Sequence, residues 1–484
     1  MRTLTDGVRH WVPHNRWDLV APARLGRPQP TVAIIVAYFD QPASLPRMYA
    51  ALGVAGLDPD RTELVVVDDG SACAPPSPPP DLGICATVLR QDDNGCRPGA
   101  ARNLGAAQTS ADVLVFLDSD TLPEPSTINR LAAWPAIIPD AVVVGRRGHV
   151  DLRGWSAEQA RKWLTGAGPA PTRRPDPAWL ADGYRESHDL LDADDRSFRY
   201  VISAVMACHR TLFDDVGGFD ALRVTYGGED WEFAARAFNN GAVLVHDPDA
   251  VAWHDEPDWA DREHGAAAAD DDDDDDDKKA EETLWLAAQI GDPATRGVGL
   301  RQRGADVVVS LELPPQTPVA PVVATMHTVL DALADVSLHL QQPVSELVAE
   351  HVRHDPRVRL VPAEDAQRRL ARTSLTLRAP VDARPGALQG LVDAVRPCGP
   401  GRIDIVDDGR SVGCVVSARA AGRARRAGRF GIDPGQIVDD LFGRATVEAS
   451  AVGLRILPTG FDLAAWLAAS AAQSGSAAVA TVEI

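Results

Sequence analysis

Short apolar runs that alternate with helical segments are the feature of this chain that most constrains its fold. The runs at 31–37, 64–67 and 113–117 are continuous and lack the polar alternation of a half-exposed strand. They are therefore predicted to be strands buried on both faces, as in parallel sheets covered by helices. Helices are predicted between them, one starting near Pro42 and one from about Pro98 to Gln108. The fold class is therefore α/β, with a mostly parallel sheet.

Acidic residues directly follow two of these predicted strands. Asp68 and Asp69 follow the second run, and Asp118 and Asp120 follow the third. The carboxyl ends of parallel strands lie at one edge of the sheet, where open α/β sheets bind ligands. Clustered carboxylates at that edge suit Mg²⁺ or Mn²⁺ carrying substrate phosphates. The alternative is an Asp-rich turn leading into the next helix, because Asp-x-Asp is frequent by chance.

Length and charge bound the number of domains and the class of partner. A chain of 484 residues is too long for one hydrophobic core and predicts two or three domains. The net charge of −21 argues against nucleic acid and anionic membrane as partners. Eight of the acidic residues are the consecutive aspartates from Asp270 to Asp277. This self-repelling, low-complexity segment is predicted to be a disordered linker.

Cysteine usage and hydropathy indicate a compartment. The sequence has no apolar run long enough to span a bilayer, and its first residues lack the apolar core of a signal peptide. The six cysteines are scattered, without a Cys-x-x-Cys pair, which is typical of free thiols in a reducing environment. We therefore expect a cytoplasmic protein without a transmembrane segment.

A second α/β domain is predicted beyond the acidic linker. A strand at 307–311, a helix near 319–333 and a strand at 336–340 repeat the order seen in the first domain. Ala379 or Pro380 aligns with Asp118, so this domain is predicted to be a degenerate copy without the carboxylate pair. The predicted divisions are an amino-terminal extension (1–30), a first α/β domain (31–264), an acidic disordered linker (265–282), a degenerate second domain (283–463) and a flexible tail (464–484).

Several segments in a fixed order carry a resemblance to a known family. They are the strand ending in Asp68-Asp69-Gly70-Ser71, the helix opening Pro98 to Gly105 with Arg102-Asn103, the Asp118-Ser119-Asp120 strand, the Gly217-Gly218-Phe219-Asp220 and Gly227-Gly228-Glu229-Asp230 segments, and Ala252-Trp253-His254. In this order, residues 31–254 resemble the family 2 glycosyltransferases of GT-A fold. The Gly-Gly-Glu-Asp segment is similar to that of the galactosyltransferase-like branch.

The resemblance implies a role for each of these side chains. The nucleotide would be bound by Asp68, Asp69, Arg97, Arg102, Asn103 and Asp118. A Mn²⁺ or Mg²⁺ ion would be held by Asp118, Asp120 and His254. Asp230 would deprotonate the acceptor hydroxyl, and Glu229 would hydrogen-bond the donor sugar or the acceptor. Many members have glycine where this chain has Arg97, whose side chain could instead reach a phosphate.

The resemblance implies a metal-dependent, inverting glycosyltransferase. Its donor would be a nucleotide sugar, with uridine diphosphate as the carrier, and its acceptor a hydroxyl of a carbohydrate or another molecule, such as a glycan or cell-envelope precursor. An insertion at 150–197 is predicted to hold the acceptor. Two alternatives stay open, a non-catalytic scaffold that binds nucleotide sugars or glycans and a nucleotidyltransferase. At residue level, Glu229 and Asp230 could simply stabilise a helix start, and His254 could be structural.

Overall fold

The chain forms two compact units. The computed structural model describes residues 1–20, 29–225, 227–255, 272–297, 304–341, 344–364 and 371–478. Unit 1 comprises residues 1–296 and 422–441, and unit 2 comprises residues 297–421 and 442–484. The sequence predicts two successive domains, whereas the chain returns to unit 1 from within unit 2.

Unit 1 has a mixed α/β fold in which strands and helices alternate. Its strands are β1 (Leu4–Thr5), β2 (His10–Trp11), β3 (Val32–Tyr38), β4 (Thr62–Asp68), β5 (Cys85–Arg90), β6 (Val113–Asp118), β7 (Thr121–Pro123), β8 (Ala141–Asp151), β9 (Thr172–Arg174), β10 (Val205–His209) and β11 (Val243–His254). Its helices are α1 (Ser44–Leu52), α2 (Pro98–Gln108), α3 (Thr127–Ile137), α4 (Ala157–Leu164), α5 (Ala178–Glu186), α6 (Arg210–Val216), α7 (Glu229–Asn239), α8 (Asp272–Gln289) and α9 (Pro293–Arg296).

The main sheet of unit 1 brings the predicted acidic strand ends to one edge. Its strand order is β5-β4-β3-β6-β10-β8-β11-β7, and β9 pairs with β8. Strands β5, β4, β3 and β6 are parallel, and β10 runs antiparallel to β6 and β8. In this register Tyr38 lies opposite Asp68, and Ala37 lies opposite Asp118. The predicted α/β class is confirmed, and the ends of β4 and β6 flank the end of β3.

The central strands are buried on both faces, as their continuous apolar sequences predict. In β3, Ile34 and Val36 belong to one core cluster, while Ile35 belongs to a second cluster on the other face. In β6, Val115 joins the first cluster and Phe116 the second. Because side chains alternate along a strand, helices must cover both faces to keep these residues from water.

Unit 2 repeats the strand order of unit 1. Its strands are β12 (Val307–Leu311), β13 (Val336–Leu340), β14 (Val358–Arg359), β15 (Thr373–Leu377), β16 (Val381–Ala383), β17 (Arg402–Asp407), β18 (Arg410–Ser417), β19 (Arg444–Glu448) and β20 (Leu454–Ile456). The sheet order is β14-β13-β12-β15-β18-β17-β19, with β18 antiparallel to both neighbours and β19 parallel to β17. This matches β5-β4-β3-β6-β10-β8-β11 in order and direction, so the predicted second α/β domain is confirmed.

The helices that follow in the chain are α10 (Val319–Ala332), α11 (Glu346–Val352), α12 (Ala387–Ala394), α13 (Ala418–Gly428), α14 (Pro434–Ile437) and α15 (Leu463–Ala478). Residues 422–441, which include most of α13 and all of α14, belong to unit 1.

The carboxylate pair of unit 1 has no counterpart in unit 2. Strand β16 follows β15 as β7 follows β6. When the two units are aligned on the first residues of β7 and β16, Arg378 corresponds to Asp118 and Pro380 to Asp120. The alignment made from the sequence alone places Ala379 or Pro380 opposite Asp118, which is one or two residues later. Arg378 lies 3.4 Å from the Glu312 carboxylate, so this position of unit 2 carries a paired cation in place of an acid.

Part of the predicted disordered linker is helical. Residues 256–271 lie outside the described residues, but α8 covers the rest of the linker from residue 272. Leu286 and Ile290 are buried in the second core cluster of unit 1, and Trp285 packs against it. Burial of these apolar side chains stabilises the helix. The acidic run hides this signal in the sequence.

The described ends of the chain are also ordered. Trp11 of the amino-terminal extension is 1% exposed, and α15 occupies most of the tail predicted to be flexible; residues 21–28 and 479–484 lie outside the described residues. Among the described residues, no helix combines the length and apolar content needed to cross a membrane.

Candidate active site

Arg102 connects the end of strand β6 with the start of helix α7. Its guanidinium donates to Asp118 Oδ1 at 2.8 Å and to Glu229 Oε1 at 3.0 Å. The Arg102 side chain is 3% exposed, whereas Asp118 is 33% exposed. Burial opposes the charge of Arg102, but the two carboxylates outweigh it and raise the pKa of Arg102 above its usual value. One buried cation therefore brings a predicted metal ligand and a predicted catalytic residue into one cluster.

Asp120 and His254 meet at the ends of two neighbouring strands. Strand β11 pairs with β7 so that His254 lies opposite Thr121, and His254 Nε2 is 3.4 Å from Asp120 Oδ1. Both side chains are nearly buried, and the His149 ring lies edge-on to His254 at 5.5 Å between centroids. Residues predicted to be metal ligands from positions 134 residues apart in the chain are thus adjacent.

Asp118 does not join this pair. Its carboxylate bonds to Arg102, and among the described residues no three His, Cys, Asp or Glu side chains converge closely enough to hold a metal ion. The donor set itself fits a divalent cation, because two carboxylates and an imidazole suit Mn²⁺. Asp118, Asp120 and His254 are the residues that would hold it.

Asp68 and Asp69 close the turn after β4. Asp68 is fully buried, and its carboxylate accepts from the Ser71 backbone N–H at 2.9 Å and from Arg90 Nη1 at 3.0 Å. Asp69 accepts from Gln91 Nε2 at 2.5 Å and from the Arg97 backbone N–H at 2.7 Å. These bonds tie the strand end to β5 and to the loop before α2.

Arg97 directly precedes α2, and Asn103 lies in the middle of that helix. The Arg97 guanidinium is 3.7 Å from Asp69 Oδ1 and donates to the Asp92 carbonyl. The Asn103 side chain donates to the Phe219 carbonyl at 2.8 Å and accepts from the Phe219 N–H at 2.9 Å. Asn103 therefore holds the Gly217-Gly218-Phe219 turn, so its described contacts are structural.

Glu229 and Asp230 open helix α7 after two glycines in the left-handed region. Gly227 has a φ of 96° and Gly228 a φ of 86°, a conformation that favours glycine. Glu229 bonds to Arg102, and the Trp231 N–H donates to Asp230 Oδ1 at 2.8 Å. Burial and the charge of Glu229 raise the pKa of Asp230 to about 7. A carboxyl group with that pKa is suited to take a proton near neutral pH.

Helix α8 contributes side chains to this region that sequence reasoning missed. Glu281 Oε1 accepts from Thr225 Oγ1 at 3.2 Å and lies 3.6 Å from Arg223 Nη1. The guanidinium carbon of Arg223 lies over the Trp285 ring, 4.7 Å from its centroid. These contacts brace the loop that leads into Glu229. The apolar Leu284-Trp285-Leu286 run after the acidic segment is the signal that could have found them. Tyr226, which could offer a sugar a flat face, lies outside the described residues.

Family models match the part of the chain that carries these residues. The model described as glycosyl transferase family 2 matches residues 33–209, and the one described as the N-terminal domain of galactosyltransferase matches residues 193–249. Residues 33–209 are thus similar to glycosyl transferase family 2. The resemblance predicted from the motifs is confirmed, and the two matches overlap within unit 1.

Curated relatives are glycosyltransferases and polysaccharide synthases. Hyaluronan synthase of Pasteurella multocida is 26% identical over 243 residues, which is 47% of this chain and 24% of the relative. Pre-mycofactocin glycosyltransferase of Mycobacterium tuberculosis is 28% identical over 262 residues, 52% of this chain and 50% of the relative. Validoxylamine A glucosyltransferase of Streptomyces hygroscopicus subsp. limoneus is 27% identical over 231 residues, 45% and 49% of the two chains. The chain spans half the length of these relatives or less.

A similar solved structure is a mannosyltransferase from Pyrobaculum calidifontis in complex with GDP-Man and Mn²⁺. It is 17% identical, covers 49% of this chain and 62% of that chain, and has a TM-score of 0.34.

Proposed function

We propose that unit 1 is a metal-dependent, inverting glycosyltransferase. It would transfer a sugar from a nucleotide sugar, with uridine diphosphate as the carrier, to a hydroxyl of a carbohydrate or similar acceptor. The match to the family supports the reaction class, and the names of the relatives support sugar transfer. The carrier nucleotide and the cation come from the motif resemblance.

The shared contact of Arg102 with Asp118 and Glu229 carries this proposal. Asp118 ends the strand on the donor side, and Glu229 begins the helix that carries Asp230. A glycosyltransferase needs its donor clamp and its base within the length of one sugar, since the acceptor oxygen must approach the anomeric carbon directly. A binding scaffold would not need a carboxyl group with a pKa near 7 in this cluster.

In the proposed reaction, Asp230 takes the proton of the acceptor hydroxyl. The acceptor oxygen bonds to the anomeric carbon from the face opposite the nucleotide, while the bond from that carbon to the phosphate oxygen breaks. Glu229, oriented by Arg102, would hydrogen-bond one of the two sugars. A divalent cation held by Asp118, Asp120 and His254 would neutralise the charge that develops on the departing diphosphate. Asp69 would contact the nucleoside, with the fully buried Asp68 holding the turn and Arg97 near the phosphates.

The test is a panel of nucleotide sugars supplied with Mn²⁺, scored for release of nucleoside diphosphate with and without simple glycoside acceptors. Asp230→Asn keeps the shape of the side chain but cannot accept a proton, so transfer should fall by about 10²–10⁴ while nucleotide affinity survives. Asp214→Asn is the matched control, since Asp214 is 55% exposed on α6. Transfer by Asp230→Asn at the wild-type rate would reject the proposed base.

A further inference from the structure

The insertion between β8 and β10 presents one tryptophan to solvent. Trp179 lies near the start of α5 and is 39% exposed, the only tryptophan among the exposed large apolar residues of the described part of the chain. By contrast, Trp11, Trp134 and Trp253 are all at most 9% exposed. Tryptophan is large and apolar, so an exposed indole is a candidate for ligand contact.

Trp179 belongs to an aromatic cluster that reaches the proposed base. Its ring stacks on Tyr200 with centroids 6.5 Å apart and planes at 27°. It also meets Trp231 edge-on, with centroids 6.3 Å apart and planes at 73°. Trp231 follows Asp230 directly in α7 and packs against Phe198. The exposed indole therefore contacts the residue next to Asp230 directly.

The insertion is shaped to hold this cluster. Tyr184 of α5 donates its hydroxyl to the Tyr200 carbonyl at 2.7 Å. A Cβ added at Gly183 would lie 2.1 Å from the Tyr200 ring, so only glycine at this position lets the ring pack against α5. The guanidinium of Arg199 lies over the Tyr200 ring, 5.5 Å from its centroid. These contacts fix the ring on which Trp179 stacks, which limits the freedom that a ligand would have to remove.

We propose that Trp179, supported by Tyr200 and Trp231, is the acceptor subsite and binds the apolar C–H face of a pyranose ring. The inference rests on the proposed function, because it takes its direction from the position of Asp230. The face of an indole carries negative charge and attracts the weakly positive C–H groups of a sugar, while the ring hydroxyls stay in water. The platform is one exposed ring wide, which matches a single sugar residue better than a protein surface.

The first experiment measures binding without catalysis. Methyl glycopyranosides of glucose, galactose, mannose and N-acetylglucosamine are the probes, and saturation-transfer NMR on the full chain reports which sugar protons touch the protein. We expect transfer to the C–H protons of at least one glycoside in wild type and in Trp179→Phe. The signal should be lost in Trp179→Ala and in Trp179→Gln, two truncations that guard against the failure of one variant to fold. Leu347→Ala, at a 72% exposed apolar position of unit 2, is the control.

The second experiment separates this subsite from the donor site. Trp179→Ala should raise the acceptor KM by about tenfold or more and leave the acceptor-independent hydrolysis of the nucleotide sugar unchanged. Equal glycoside signals in wild type and in both truncations, or no signal in wild type, would overturn the subsite. A wild type that binds glycosides through Trp179 but cleaves no nucleotide sugar would support the subsite and refute the proposed function instead.

Discussion

At the scale of single residues, Asp230 is the group whose chemistry depends most on its neighbours. Burial and the charge of Glu229 raise the pKa of Asp230 to about 7, so its carboxylate becomes protonated as the pH falls through the neutral range. A general base must be ionised to act. The acceptor-dependent transfer rate should therefore rise with pH up to about 7 and fall roughly tenfold for each unit below that value. A pH profile of kcat/KM for transfer measures this limb.

Glu229→Gln tests the cause of that shift. Because the charge of Glu229 helps to raise the pKa of Asp230, its removal should move the limb to lower pH. Arg102 would remain in this variant, and its positive charge would also keep the pKa of Asp230 low. A limb that stays at the same pH in Glu229→Gln would assign the titration to another group.

At the scale of elements, the loop before α7 depends on helix α8. A Cβ at Gly228 would lie 3.2 Å from both Leu286 and Trp285, and its φ of 86° adds backbone strain of about 1–2 kcal/mol for any other residue. Gly228→Ala should therefore lower stability and also displace the start of α7, reducing the transfer rate. Thermal unfolding and transfer assays measure the two effects.

Gly443→Ala provides the matched control. Gly443 has a φ of 85°, but no atom lies within 4 Å of its added Cβ. It should show the backbone strain alone, with the transfer rate unchanged. If Gly228→Ala loses stability as expected but keeps the full transfer rate, α8 does not set the position of Glu229 and Asp230.

Elements with strong local patterns were predictable from the sequence, and contacts between distant elements were not. Helix α2 spans the predicted Pro98–Gln108, and α7 begins at Glu229 as predicted. The apolar run before Asp118 predicted β6 because a strand buried on both faces needs consecutive apolar residues, which the local sequence shows. The dual contact of Arg102 and the structural bonds of Asn103 have no such signature, since each partner lies far away in the chain. The acidic run likewise masked α8, whose stability comes from tertiary burial.

At the scale of the molecule, residues 422–441 complete the interior of unit 1. The Asp215 side chain is fully buried and bonds to Arg425 at 2.7 Å and Arg426 at 3.1 Å. Arg426 also bonds to the buried Asp140 at 2.7 Å. Burial opposes the charge of Asp215, but these arginines outweigh it and hold the pKa of Asp215 below its usual value. Two buried carboxylates of unit 1, those of Asp140 and Asp215, thus depend on a segment that follows most of unit 2 in sequence.

Arg426→Met tests this dependence. It leaves two buried carboxylates short of their partner, so the free energy of unfolding should fall by about 3–5 kcal/mol. Arg429→Met removes a 46% exposed arginine 3.3 Å from the same Asp215 and should cost less than about 1 kcal/mol. Denaturant unfolding followed by tryptophan fluorescence measures both. Equal losses in the two variants would show that burial of Arg426 adds nothing.

The return of the chain to unit 1 has a consequence for biosynthesis. A ribosome releases the residues that surround Asp140 and Asp215 long before it releases Arg425 and Arg426. During that interval the nascent first unit holds two aspartates, Asp140 and Asp215, that lack the native arginine partners of residues 422–441, and this destabilises it. The order of synthesis therefore delays maturation of the proposed active site until residues 422–441 have emerged, and a fragment that ends before them would be less stable than the full unit.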